Sequence, residues 1–176
     1  MAKEIKLSGG IVSLVGLGKE YCEKMESAFE STGNDMARDM LRYLPRLYML
    51  IDELRLSFDD EEGEDTGAIY PRLEEDQYDS VRLNLAALFG EYDTYLDASV
   101  EDMRYSDTPL AASISEQLAD IYQEMYNFTD TVRDAGSESL EEILSNLKYD
   151  FEEHLSNTIC SALRAINYVY RQKVLE

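Results

Sequence analysis

The segment SISEQLADIYQEMYNFTDTV, residues 113–132, most constrains what this chain can fold into. At about 100° per residue, Ile114, Leu118, Ile121, Tyr122, Met125, Phe128, Thr129 and Val132 fall within an arc of roughly 120°. Glu116, Asp120, Glu124, Asp130 and Asp134 all fall outside it. Ser113 stands three residues before Glu116, the spacing of a capping box at a helix start. The segment therefore reads as an amphipathic helix with its carboxylates in water.

The same period recurs along the chain. Ile11, Leu14, Val15, Tyr21, Cys22, Met25, Ala28 and Phe29 share one side of a first helix. Ser31-Thr32-Gly33-Asn34 breaks it, and Asn34 or Asp35 can cap a second helix bearing Met36, Met40, Leu41, Leu44, Leu47, Tyr48, Ile51 and Leu54. Pro45 lies inside that helix and removes a backbone donor, so a kink or restart is expected there. A third helix, roughly 74–89, presents Tyr78, Val81, Leu85 and Leu88 and stops at Gly90. Gly136 closes the fourth, and Ser137 or Ser139 opens the last, with Ser139 and Glu142 as a second capping box. The final helix carries Leu140, Ile143, Leu144, Leu147, Phe151, Leu155, Ile159, Leu163, Ile166 and Val169, a face that drifts around it. No segment shows sustained strand alternation. The expected architecture is all-α: a single-domain bundle of about five helices over residues 1–176, interrupted by an acidic loop at 58–72 and a Tyr/Asp-rich loop at 91–109.

Charge narrows the function. The chain has 37 acidic and 16 basic residues, net −21. Residues 1–57 carry −1, residues 58–160 carry −22 and residues 161–176 carry +2. Direct binding to nucleic acid or to an anionic membrane needs clustered Lys and Arg, so neither is expected. A field of this sign attracts basic partner surfaces. Two cysteines, Cys22 and Cys160, are too few for a disulfide scaffold and suit free thiols in a reducing compartment. The N-terminal apolar patch is short, glycine-bearing and continuous with a helical stripe. No run approaches the roughly 18 apolar residues of a membrane span, and a cytoplasmic location is expected.

Familiar catalytic patterns fail. A ferritin-like metal site needs Glu-x-x-His on two helices, but the one histidine, His154, follows Phe151 by three. His154 reads as a boundary residue at the margin of the apolar stripe. FDDEEGEDTG has Phe58 where a calcium loop needs its first ligand, and the acidic run reads as a solvated loop. A single histidine with no marked nucleophile offers no triad, and SGGIVSLVGLG lacks the spacing and lysine of a phosphate loop. No catalytic, cofactor-binding or metal-ligating residue is nominated, and no cofactor is expected.

Two features invite a partner. Arg38, Arg42 and Arg46 recur at i, i+4, i+8, and either pair locally with Asp35 and Asp39 or contact an external carboxylate or phosphate. In EYDTYLDASVEDMRYSDTP, Tyr92, Tyr95 and Tyr105 alternate with acids that include Asp97, Asp102 and Asp107. Such a segment either forms a protein-binding surface or folds back to cover the bundle end.

DMRYSDTPLAASISEQLADIYQEMYNF resembles the central motif of an uncharacterised family centred on Bacteroidetes, domain-of-unknown-function family 5063. RLNLAALFGEYDTYLD before it and YDFEEHLSNTICSALRAIN after it are similar to that family as well. The resemblance implies a cytosolic helical protein with no assigned activity, so it carries no residue role to any position. The expected function is a non-enzymatic, acidic protein-interaction domain for a partner with a basic surface. A narrower form is a nucleic-acid mimic regulating a nucleic-acid enzyme. The competing readings are an enzyme with a carboxylate/tyrosine pocket invisible in sequence, and a homo-oligomer with an uncovered apolar face.

Overall fold

The computed structural model of the protein describes residues 9–54, 71–97, 108–136 and 139–176. Helix α1 spans Gly9–Glu26 and is followed by a short 3₁₀ turn, Ala28–Glu30. α2 spans Gly33–Asp52, α3 Glu75–Phe89, α4 Ile114–Asp134, α5 Leu140–Asp150 and α6 Ser156–Gln172. Five π-helical residues, Phe151–Leu155, join α5 to α6, so these run as one continuous helical rod. Counting that rod once, the all-α bundle has five helices among the described residues. α4 lies at its centre, against α1 on one side, α3 on another and α6 on a third, while α2 packs on α6 and α1.

The apolar stripes become the core. Ile114, Leu118, Ile121, Tyr122, Met125 and Phe128 of α4 are fully buried, and so are Met36, Met40, Leu44, Leu47 and Ile51 of α2. Two buried phenols are satisfied as burial of a polar tip requires. Tyr21 Oη donates to the Leu118 carbonyl at 3.0 Å. Tyr122 Oη donates to Glu26 Oε1 at 3.0 Å and accepts from Gln77 Nε2 at 2.7 Å. Gly33 opens α2 where a side chain has no room, since a Cβ there would lie 2.5 Å from the Leu88 carbonyl oxygen.

Several local expectations are corrected. α1 stops at Glu26, and Phe29, assigned to its apolar side, is exposed in the 3₁₀ turn. Thr32 caps α2, its Oγ1 accepting from Asp35 N at 3.1 Å, in place of Asn34 or Asp35. α2 neither ends nor restarts at Pro45; packing along its whole inner face outweighs the one lost hydrogen bond. Ser139 precedes α5 but makes no capping bond, because its backbone (φ −94°, ψ −4°) is already helical rather than extended. Ser137 lies outside the described residues, as does most of the acidic 58–72 loop.

The Tyr/Asp-rich stretch is not all loop. After a 3₁₀ turn at Gly90–Tyr92, Thr94–Asp97 forms strand β1, paired antiparallel with β2, Leu110–Ser113, in the register Thr94↔Ser113 to Asp97↔Leu110. Four-residue strands are too short to show an alternating pattern. The hairpin also leaves Leu96 and Leu110 exposed, so its hydrophobicity does not track burial. No helix among the described residues is long and apolar enough to cross a membrane.

Candidate functional site

The tyrosines and acids of the hairpin turn inward. Tyr95 Oη donates to Gln117 Oε1 of α4 at 2.7 Å, and Asp97 accepts a hydrogen bond from Arg164 of α6. Tyr92 is half-buried against the core. Its hydroxyl is held above the ordinary tyrosine range, first by the charge of Glu91 and then by burial. Burial does the same to Tyr95, with Asp97 adding to it. These three residues thus fasten the hairpin to the bundle. Asp102, Tyr105 and Asp107 lie outside the described residues.

The arginine ridge divides. Arg38 reaches Asp35 at 2.8 Å and Asp39 at 3.7 Å. Arg42 and Arg46 are exposed and, among the described residues, have no carboxylate within 4 Å. Neither joins the hairpin residues in a common site.

A different set of residues converges where α4 faces the α5–α6 rod. Asp120, Gln123 and Glu124 stand at i, i+3, i+4 on α4; Asp150, His154 and Thr158 stand at i, i+4, i+8 on the rod. With Leu155 they line a cleft of about 280 Å³. The π turn makes this alignment. Positions eight apart drift by about 80° on a regular α-helix, whereas the wider i→i+5 turn keeps steps of four on one side. The same steps of four bury Leu147, Phe151, Leu155 and Ile159 in the core. His154, at the edge of that stripe, is therefore delivered to the cleft.

The cleft is electrostatically unbalanced. Burial raises the Glu124 carboxyl above its ordinary range, the charges of Asp150 and Asp120 push it further, and His154 pulls back. Burial also raises Asp150, again opposed by His154. Asp120 accepts from Tyr78 Oη at 2.7 Å, and burial together with that bond holds the phenol well above its ordinary range. No Lys or Arg lies within 4 Å of Asp120, Glu124 or Asp150 among the described residues, although elsewhere Lys24, Arg72, Arg82, Arg133 and Lys148 are all paired with acids. No three His, Cys, Asp or Glu side chains among the described residues converge closely enough to hold a metal ion.

Asp120 and His154 are exposed, as their places off the apolar stripes imply, whereas Glu124, expected in water, is half-buried. The uniform steps of four from Leu147 to Ile159 were the signal for the turn that gathers them. A second cleft of about 490 Å³ between α1 and α4 contains Cys22, whose thiol burial and Glu26 push up to about 12. That thiol is an inert packing group. Cys160 is exposed.

The chain belongs to the domain of unknown function family DUF5063, whose model matches residues 6–172. A search of the curated proteins finds none that matches it. Among solved structures it is similar to the crystal structure of protein BF1032 from Bacteroides fragilis, with 24% identity, a TM-score of 0.74 and 93% of each chain covered. At that identity the likeness speaks for the fold alone.

Proposed function

We propose that this protein is a non-enzymatic, cytoplasmic interaction domain that takes a basic segment of a partner protein into the cleft between α4 and the α5–α6 rod. One observation carries the reading: Asp120, Glu124 and Asp150 line a single cleft in which, among the described residues, no Lys or Arg lies within 4 Å of them and His154 alone opposes their charge. Burial makes the ionised state of Glu124 and Asp150 costly there, and the neighbouring acids add to the cost at Glu124. An incoming Lys or Arg relieves that cost while gaining charge-assisted hydrogen bonds. The net charge of −22 over residues 58–160 would steer a basic partner toward it.

The charge supports a narrower form, in which the basic partner is a nucleic-acid enzyme and this surface competes with its nucleic acid. The test serves both forms. The tagged protein is used to co-purify partners from its own host at low and at moderate salt, beside the double variant Glu124→Gln/Asp150→Asn. The reading expects one stoichiometric partner that rising salt releases and the variant fails to hold. A partner held equally at both salts, or held equally by the variant, would sink it. In the narrower form, added nucleic acid displaces the partner.

A further inference from the structure

We infer that the α1–α2 face is a two-fold interface at which a second copy of this chain docks through antiparallel α2 helices. The face carries an open groove of about 530 Å³ lined by Ser13, Gly16 and Leu17 of α1 and by Arg46, Met49 and Leu50 of α2, with Glu20 and Glu53 also at its walls. Met49 is 58% exposed, as is Val12 one helical turn before Gly16. An exposed glycine inside a helix costs stability. Here it keeps the groove floor bare, with nothing within 4 Å of the place where its Cβ would sit, so a second helix can approach the backbone closely.

Charge selects the occupant. Two chains of net −21 repel one another on most of their surfaces. Residues 1–57, which supply both walls of this groove, sum to −1. The groove itself is self-complementary. Met49 and Leu50 form the centre of its α2 wall; Arg46 stands three residues before that pair and Glu53 three residues after it. An antiparallel crossing centred between Met49 and Leu50 places Arg46 of each copy opposite Glu53 of the other, and two-fold symmetry makes the contact twice. Arg46 is exposed with no carboxylate within 4 Å in the described structure, so it is free to pair across the dyad. The apolar residues at the centre and the paired charges at the rim have the distribution of a specific interface. The face uses helices other than those of the acidic cleft, so the dimer stands or falls apart from that reading.

The experiment is sedimentation velocity on the full chain from low to high micromolar concentration at moderate salt. The expected mass moves from 20.2 kDa toward twice that value. Arg46→Glu alone and Glu53→Arg alone should each weaken association by about tenfold or more, because each reversal strikes two symmetric contacts. The double reversal Arg46→Glu/Glu53→Arg should restore it, and Met49→Asp should leave only monomer. All three positions are exposed, so helical circular dichroism should be unchanged in every variant. A monomer at every concentration overturns the inference, as does a dimer indifferent to the single reversals. A dimer that the single reversals weaken and the double reversal fails to restore overturns the antiparallel pairing.

Discussion

Asp93 Oδ1 accepts the backbone N–H of Ser115 at 2.8 Å, so a residue from the turn before β1 caps the first turn of α4. Asp93 Oδ2 accepts from the hydroxyls of Ser113 and Ser115 at 2.8 and 2.7 Å, and the Asp93 carbonyl accepts from Ile114 N at 2.9 Å. Ser113 supplies the expected N-cap bond to Glu116 N, at 3.4 Å. The stronger cap is the one brought from twenty residues away, where a carboxylate also meets the positive end of the helix. Asp93→Ala should therefore destabilise the fold by about 2 kcal/mol, the upper range for loss of a helix cap. Asp93→Asn should recover part of that loss. Urea unfolding checks this, with the midpoint moving and the slope unchanged.

Asn127, in the second half of α4, holds the segment that leads into α3. Its Oδ1 accepts from the backbone N–H groups of Arg72 and Leu73 at 2.9 and 3.0 Å, and the side chain is 6% exposed. Arg72 then reaches Asp130 at 3.1 Å and Asp134 at 2.6 Å, which holds the Asp134 carboxyl below its ordinary range. Asn127→Ala removes the acceptor for both amides and should cost about 1–3 kcal/mol. Hydrogen exchange at Arg72 and Leu73 should accelerate, while the amides in the middle of α4 keep their protection. Uniform acceleration along α4 would mean that Asn127 acts through the core instead.

What was legible in the sequence and what was not divide along physical lines. The stripes of α2 and α4 were legible because regular helices convert spacing directly into facing. The hairpin was not, because the β1–β2 ladder is held by backbone bonds that any side chain permits, and Leu96 and Leu110 point to solvent. For Tyr95 and Asp97 the sequence leaves a recognition surface and a fold-back onto the bundle equally open, because nothing in it reveals Gln117 and Arg164 waiting opposite. The cleft was half legible. The drift of the apolar face from Leu140 to Val169 is visible in the sequence, but not that the steps of four within it belong to a wider turn.

That turn yields a further prediction. A π turn is in effect an α-helix with one residue more than it needs. Deleting Glu153, exposed within 151–155, should let the rod close into regular α-helix while Phe151 and Ile159 stay on the core side. Deleting Gln123, equally exposed but inside the regular α4, rotates everything after it by about 100° and takes Met125 and Phe128 out of the core. The first deletion should therefore leave a cooperative thermal transition, and the second should abolish it. If both abolish it, the π turn is indispensable to packing rather than an accommodated extra residue.

The raised carboxyls at Glu124 and Asp150 set the direction of the pH response. A carboxyl whose pKa is higher in the folded state than in the unfolded state takes up its proton first in the fold. Over the window between the unfolded value and the raised folded value, the native state binds more protons, so stability rises as pH falls. Above that window the ionised pair weakens the fold. The double variant Glu124→Gln/Asp150→Asn should accordingly be more stable than the parent at neutral pH, and the difference should shrink as pH falls through the raised pKa values. Asp120 and His154 line the same cleft in both proteins, and Tyr78 donates to Asp120 in both, so the difference between the two unfolding curves isolates the exchanged pair. A variant less stable than the parent at neutral pH would mean that the two carboxylates are held by favourable contacts, and that the cleft is not the cation-seeking surface proposed for it.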